Sequence, residues 1–374
     1  MINEQMLNMP VKRVWILGDL HFGVRSNSLE WLEIQKDFFE NEFIPTLEKE
    51  YKPGDVLVQV GDTFDNRQSI NIKVLNYAIN LFERLGKILP THIICGNHDI
   101  WAKKTNDISS IDSLKWIPNV QVYKEPIEYK WLDKKILLMP WRRDSSHEAE
   151  TLADFPSSEI VFCHSEVKGI YLNSKVKNMH GNESNIYDKY SRVYSGHIHY
   201  RQEKNKLLMV GVPYQLTRSD MNNSKGFDLV DLETMEETFY ENDSSPKFLR
   251  YNIKMLYDMN LGTFKEHIKN NFVDLYVPSG IASNASLSNL INKVQKIGRR
   301  IEPNIYQEEN FIDKDLYDLD EIDEMQKNYS VLGLCEKYVD SSSYDKETKK
   351  KILEKIANIY NNCTNNYDIE HENQ

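Results

Sequence analysis

Residues 14–23 read VWILGDLHFG, residues 56–65 read VLVQVGDTFD and residues 93–99 read IICGNHD. Each is a short apolar run that stops at glycine followed by Asp or Asn, with further Asp or His close behind. Such runs, bounded by turn residues, predict strands at Val14–Leu17, Val56–Val60 and Ile93–Cys95. Residues 29–47 between the first two carry Trp31, Leu32, Ile34, Phe38, Phe39, Phe43 and Ile44 at helical spacing. Between the second and third, residues 70–85 place Ile72, Leu75, Ala78, Ile79 and Phe82 on one helical stripe. Strand, loop and helix in repetition predict an α/β sandwich.

Farther along, strands are expected at Lys135–Met139, Ile160–Cys163, Val193–Ser195, Leu207–Val210 and Phe227–Val230. Two of them end in histidine: His164 follows one, and Gly196-His197-Ile198-His199 follows another. In open α/β sheets, ligands bind at the carboxyl ends of strands, and glycine there permits a tight turn and close backbone approach. Five such loops on one edge would gather carboxylates, one amide and several imidazoles. That cluster is unfavourable without compensation, and divalent cations supply it. Each fragment alone reads as an ordinary turn or a packing histidine; the ordered set reads as a metal site. His92, His147, His180, His267 and His371 stand outside the motifs and read as packing or surface residues.

Composition sets the bounds. The 374 residues are 40% hydrophobic and 11% aromatic, enough for a sizeable core and about two or three domains. Net charge is −11, which excludes a uniformly basic nucleic-acid coat. Residues 1–235 carry 29 Lys+Arg against 32 Asp+Glu, and residues 236–374 carry 17 against 25, so the acidity lies toward the C-terminus. Cys95, Cys163, Cys335 and Cys363 show no C-x-x-C spacing and fit isolated thiols in a reducing compartment. Neither a signal-peptide pattern nor a long apolar span is visible, so a soluble, cytoplasmic protein is expected. The turn-rich ENDSSP of residues 241–246 closes the first domain. A small α/β unit follows, with strands at Leu249–Ile253, Val273–Val277 and Arg300–Tyr306 and helices near Thr263–Asn270 and Leu287–Ile297. The expected division is a domain at 1–240, a second at 246–306, an acidic linker at 307–324 and two amphipathic helices within 325–374. Those helices would either pack on the parent domain or dock a partner.

The ordered motifs Gly18-Asp19-Leu20-His21, Gly61-Asp62-Thr63-Phe64-Asp65, Gly96-Asn97-His98-Asp99, the isolated His164 and Gly196-His197-Ile198-His199 resemble those of the calcineurin-like metallophosphoesterases. The extension to Phe22-Gly23, the form of the second motif and the Gly211-Val212-Pro213 turn are similar to the SbcD-type DNA nucleases of that group. Size and segment order resemble the small recombination endonuclease subunits of T-even-type phages. Phe22 stands where such proteins usually have Leu.

The resemblance implies a metallophosphoesterase β-sandwich flanked by helices, with a small α/β capping domain and a C-terminal helical hairpin. It implies two divalent cations, Mn²⁺ first and Mg²⁺ as the alternative; ligand softness alone also permits Fe or Zn. By motif position, one cation would be held by Asp19, His21, Asp62 and His199, and the other by Asp62, Asn97, His164 and His197. Asp62 would bridge two ions about 3.5–4 Å apart, the spacing for in-line attack on phosphorus. His98 is left to stabilise the phosphate or protonate the leaving group. Asp65 and Asp99 would orient imidazoles or loop backbone. Arg25, Arg67, Lys103, Lys104, Arg142 and Arg143, interleaved with Trp101 and Trp141, are candidate nucleic-acid contacts.

The implied activity is metal-dependent hydrolysis of DNA, as a 3′–5′ exonuclease on duplex ends and an endonuclease on single strands. The implied partners are DNA, a second copy of the chain and an SMC-like ABC ATPase bound by the C-terminal helices. The helical stripes at 29–47 and 70–85 would either form the dimer contact or face the core. A small-molecule phosphodiesterase or phosphatase of the same fold is the alternative, and a non-catalytic scaffold is a third reading.

Overall fold

A computed structural model describes residues 10–306 apart from 103, 104, 254–260, 283–288, 290 and 293, and beyond them only 339, 348–353, 355 and 356. The chain forms two compact units, Met1–Glu308 and Glu309–Gln374. In chain order the strands are β1 (Arg13–Leu17), β2 (Asp55–Gln59), β3 (Thr91–Ile94), β4 (Ile100–Ala102), β5 (Thr105–Ser109), β6 (Val120–Tyr123), β7 (Ile127–Trp131) and β8 (Lys134–Met139). They continue with β9 (Ile160–His164), β10 (Val167–Lys168), β11 (Asn182–Glu183), β12 (Arg192–Gly196), β13 (Gln202–Lys204), β14 (Leu207–Met209), β15 (Gly226–Asp231) and β16 (Glu237–Glu241). The last three are β17 (Phe248–Asn252), β18 (Phe272–Pro278) and β19 (Arg300–Tyr306). The principal helices are α1 (Leu29–Phe38), α2 (Ile44–Glu50), α3 (Ile72–Ile88), α4 (Ser145–Asp154) and α5 (Leu261–Ile268).

Two six-stranded sheets, ordered β16-β15-β1-β2-β3-β6 and β13-β14-β12-β9-β8-β7, face one another. Strand alternation decides what each face does. Val14, Ile16, Val56 and Val58 point between the sheets and meet Ile136, Leu138, Phe162 and Tyr194. Trp15, Leu17, Leu57 and Ile93 point the other way and are covered by Phe38, Phe43, Ala78, Phe82 and Leu85. The second sheet's outer face, with Val161, Cys163 and Val193, is covered by Leu152, Tyr187 and Tyr190. The result is an α/β sandwich whose central strands are apolar on both faces, as parallel strands must be.

The apolar stripes of α1 and α3 are therefore used by the chain's own core; Leu29 and Ile72 remain exposed on these helices. The helix expected over 29–47 is divided by a π turn at Phe39–Phe43, where Ile44 N–H bonds the Phe39 carbonyl. That extra residue per turn turns Phe38, Phe39 and Phe43 all inward. Beyond ENDSSP, β17, β18 and β19 form a parallel three-stranded sheet with α5, around Ile253, Phe264, Val273, Leu275 and Ile301. The helix expected near Leu287–Ile297 is met in its described residues: 289, 291, 292 and 294 are helical, and Val294, with Ile291 and Ile297, packs on that core, while 287, 288, 290 and 293 lie outside the described residues. The acidic segment 307–324 and most of 325–374 lie outside them too. Cys95 and Cys163 are buried free thiols. Among the described residues, no helix is long and apolar enough to cross a membrane.

Candidate metal centre

β1, β2 and β3 are parallel neighbours, as are β9 and β12, so their carboxyl ends present five loops to one edge. Three residues there adopt left-handed backbone: His21 (φ 48°), Asp62 (φ 53°) and His197 (φ 82°). For non-glycine residues this costs about 1–3 kcal/mol each and persists only where the surroundings enforce it. The enforcement is visible. Leu20 and His21 N–H both donate to the Asp62 carbonyl, at 3.0 and 2.9 Å. Buried Gln59 donates to the Gly18 carbonyl at 3.1 Å and accepts from Thr63 Oγ1 at 2.8 Å, joining the first two loops. The Asp99 carboxylate accepts the N–H groups of Phe64 and Gly96 at 2.9 Å and of Thr63 at 3.2 Å, joining the second loop to the third. Gly96 lies so close to Asp62 that a Cβ would overlap its backbone nitrogen and carboxylate.

These contacts bring the motif side chains together. Asp19, His21 and His199 each present a ligand atom within 4.8 Å of one another, and Asp62, His164 and His197 do the same. Asn97 Oδ1 lies 2.9 Å from His164 Nε2 and 2.8 Å from His197 Nδ1. Asp62 Oδ2 lies 3.4 Å from His164 Nε2 and 3.8 Å from His21 Nε2, between the two groups. His98 is half-buried; its N–H donates to Asp62 Oδ1 at 2.7 Å, and its Nδ1 lies 2.8 Å from the Asp65 carbonyl. The Asp65 carboxylate is 3.1 Å from His21 Nδ1 but off the hydrogen-bond direction, so that buried nitrogen lacks a well-aligned partner. Trp141 covers the His197 ring at 5.0 Å.

The electrostatics are those of a crowded carboxylate and imidazole cluster. Burial lifts the Asp19 carboxyl to about 7, with nearby His164 acting against it and Asp62 adding to it. Burial also opposes the charge on Asp62, but His164 and His21 outweigh it and hold this carboxylate well below its usual range. Burial would lower His21 and His164, yet Asp65 and Asp62 for the first, and Asp62 for the second, raise each to about 9. His197 and His199 are driven down to about 3, by burial first and then by neighbouring His164 and His21 respectively.

The donor set fits divalent cations. The Val60 carbonyl, 2.8 Å from His164 Nδ1, can only accept, so this ring carries its proton there and turns the Nε2 lone pair toward the Asp62 carboxylate. His21 and His199 likewise bring two Nε2 atoms to 3.0 Å. Lone pairs converging on lone pairs need a proton or a cation between them, and mixed nitrogen and oxygen donors without thiolate suit first-row divalent metals.

The candidate nucleic-acid contacts divide. Arg67 is half-buried and donates to the Asn97 carbonyl at 2.8 Å, beside the centre. Arg25 is exposed and donates to the Leu216 carbonyl at 3.1 Å. Arg143 is exposed next to Asp144. Arg142 departs from expectation: it is 6% exposed, paired with Glu125 at 3.0 Å and bonded to the carbonyls of Pro140 and Lys124. It braces the loop after β8 and cannot reach a strand. Lys103 and Lys104 lie outside the described residues.

Sequence reading passed over two supports of the site. Gln59 had a signal, a lone amide inside the apolar run VLVQV. The pair Lys225–Asp220 had none. Lys225 Nζ donates to the His199 carbonyl at 2.7 Å and to Asp220 Oδ1 at 3.0 Å, with both side chains buried.

Residues 12–230 match the family described as calcineurin-like phosphoesterase, and the chain belongs to it. It is 32% identical over 235 residues to Exonuclease subunit 1 of Enterobacteria phage T4, a match covering 61% of this chain and 67% of that protein. Among solved structures, an archaeal phosphodiesterase aligns at a TM-score of 0.33 and 14% identity, over 62% of this chain and 99% of that one. The nuclease MPE of Pseudomonas putida aligns at 0.28 and 15%, over 62% and 89%. The chain is thus a metallophosphoesterase-fold protein with three adjoining candidate metal groups among the described residues, the third being His21, Asp65 and His98, and it is related to a phage exonuclease subunit.

Proposed function

We propose that this chain is the nuclease subunit of an SbcCD-like recombination and repair assembly, hydrolysing DNA phosphodiester bonds with two divalent cations, Mn²⁺ first. The observation that carries the reading is Asp62, fully buried between the Asp19–His21–His199 group and the Asn97–His164–His197 group. Asp19, His21, Asp62 and His199 would hold one cation; Asp62, Asn97, His164 and His197 the other. Bound there, the cations supply Lewis acidity toward the phosphate and a lowered pKa for an attacking water.

The chain's own residues supply the rest. His98 carries its Nδ1 proton toward the Asp65 carbonyl, which leaves Nε2 to face the substrate phosphate or leaving oxygen. Asp65 keeps the His21 ring in place from behind, and Asp99 fixes the loop backbone that presents Asp62 and Asn97. Trp141 walls the side of the centre on which His197 sits. Arg25, Arg67, Lys103, Lys104 and Arg143 would contact the phosphate backbone.

The domain reading places the nuclease domain at 1–240, a capping domain at 246–306, an acidic linker at 307–324 and ATPase-docking helices in 325–374. The identity with the phage exonuclease subunit supports the nuclease assignment, with 3′–5′ exonuclease and single-strand endonuclease action, ATP gating and a homodimer as its corollaries. The test incubates purified chain and Mn²⁺ with an end-labelled overhanging duplex and, in parallel, a small chromogenic diester, with Asp62→Asn as blank. DNA degradation absent from the blank is expected. Cleavage of the small diester alone, unchanged by adding the ATPase, would sink the nuclease reading.

A further inference from the structure

A cleft of about 240 Å³ opens where the sandwich meets the three-stranded unit. Its floor is aromatic: Trp31 stacks on Phe272 at 5.5 Å and on Phe248 at 6.1 Å. Arg25, Arg218 and Arg300 line it, all three exposed to solvent. The carboxylates nearby do not neutralise them all. Arg218 holds Asp274 through two bonds of 2.7 Å and also contacts Glu302. Arg300 pairs with Glu302 at 2.8 Å, and Glu30 pairs with Arg299 at 3.6 Å. Arg25 has no carboxylate at ion-pair distance among the described residues. Its guanidinium lies 5.0 Å from the Trp31 ring and 5.6 Å from Phe248.

The backbone that puts Arg25 there is strained. Arg25, Ser26 and Asn27 are three consecutive left-handed residues, at φ 54°, 58° and 61°. The turn is held by Asn27 N–H on the Gly23 carbonyl at 2.8 Å and by Asn27 Oδ1, which accepts from Asn71 N–H at 2.9 Å. Burial first, and then the Arg218 and Arg300 charges, pull the Arg25 pKa below its ordinary value. A planar guanidinium left over on an aromatic floor, with like charges beside it, matches one ligand group well: an oxyanion that accepts two parallel N–H bonds.

We propose that this cleft is a phosphate-binding site distinct from the metal centre, in which Arg25, with Arg300, grips one phosphate of a nucleic-acid strand. Arg218, fixed by Asp274 and Glu302, braces the cleft. The strand as ligand rests on the nuclease reading above; free inorganic phosphate presents the same oxyanion.

The test uses the full chain in EDTA, which keeps cations out of the metal centre and stops cleavage, so the variants are compared with wild type on binding alone. Anisotropy of a fluorescein-labelled 15-nucleotide single strand is followed from 50 to 200 mM KCl for wild type, Arg25→Gln and Arg300→Gln, and calorimetry follows inorganic phosphate. Arg25→Gln should weaken DNA binding about five- to tenfold and reduce the slope of log K against log salt by about one. Loss of phosphate binding with DNA affinity untouched would support the cleft and assign it to free phosphate. Equal DNA affinity, salt slope and phosphate binding in both variants would overturn the proposal, as would wild type that binds neither ligand. If Arg25→Gln loses its cooperative thermal transition, the surface variant Arg300→Gln carries the comparison. Failure of metal-loaded wild type to cut DNA would count against the nuclease reading without altering these binding results.

Discussion

Asp62 is the residue on which the centre turns, because its single carboxylate lies within 4 Å of imidazoles from both groups. Asp62→Asn keeps the shape and removes the charge. Metal binding should fall from two cations per chain toward none by elemental analysis, and hydrolysis should vanish with it. His98 differs: it touches the Asp62 carboxylate through its backbone N–H, which any residue supplies. His98→Ala should therefore retain both cations while kcat drops about 10²–10⁴-fold, the usual share of a general acid or base. An equal loss of cations would assign His98 to the metal shell instead. Protons and metals also compete here. In metal-free protein His21 and His164 titrate near 9 rather than 6.5. Their contribution to metal-free stability is complete below about pH 6.5 and declines as pH rises through 9. Over that same window the rings release protons and become ligands, so apparent Mn²⁺ affinity should climb. Calorimetric titrations at pH 6.5 and 8.5 check this; affinity that falls or stays flat would contradict it.

At the level of elements, the strands were legible from their apolar runs, which after β1, β2 and β3 and at the end of β12 meet a glycine, and β1, β2, β9 and β12 fall within a residue or so of expectation. The same glycines located the loops that form the centre, since Gly96 and its kin sit where another loop's atoms leave no space for a Cβ. Other features left no local trace. β4, β5, β10 and β11 are two- to five-residue strands too short to show a period; β4 and β5 pair across a turn, and β10 pairs in parallel with β11 over a long connection. The inward turn of Arg142 depends on Glu125, which the sequence does not bring near it. Lys225 is the strongest case, because its meaning lies wholly in tertiary contacts: it fixes the carbonyl of His199 while paired with Asp220. Lys225→Met leaves the buried Asp220 charge without its cation and should cost about 3–5 kcal/mol in urea unfolding. Metal affinity should weaken in the same variant, because the His199 loop loses its anchor. Unchanged stability would show that Asp220 is satisfied by the Leu216 and Thr217 N–H groups alone.

For the molecule as a whole, charge and architecture point to a division of labour. Net charge is −11, and the residues beyond 235 hold most of the excess. A strand of DNA approaching such a chain gains little from long-range attraction, because affinity follows the number of phosphates neutralised. On the proposed nuclease reading, local clusters such as the loops around Asp62 and the arginine cleft would act at short range, and the proposed ATPase partner would supply the rest of the grip on DNA. The candidate metal groups, and the loops that enforce them, all belong to the unit Met1–Glu308, while the amphipathic segments expected to dock an ATPase belong to Glu309–Gln374. Function should therefore be separable by truncation. Removal of residues 328–374 takes away the apolar positions Tyr329, Leu332, Ile352, Leu353, Ile356 and Ile359, and none of the residues grouped at the centre. Mn²⁺-dependent cleavage by the truncated chain alone should be retained, since every residue assigned to the centre lies in Met1–Glu308. Co-purification with the SMC-like ATPase should be lost, and with it any ATP-dependent stimulation. A truncated chain that still co-purifies with the ATPase would move the docking surface onto the first unit. Loss of basal cleavage together with association would instead make the C-terminal segment part of the nuclease fold itself.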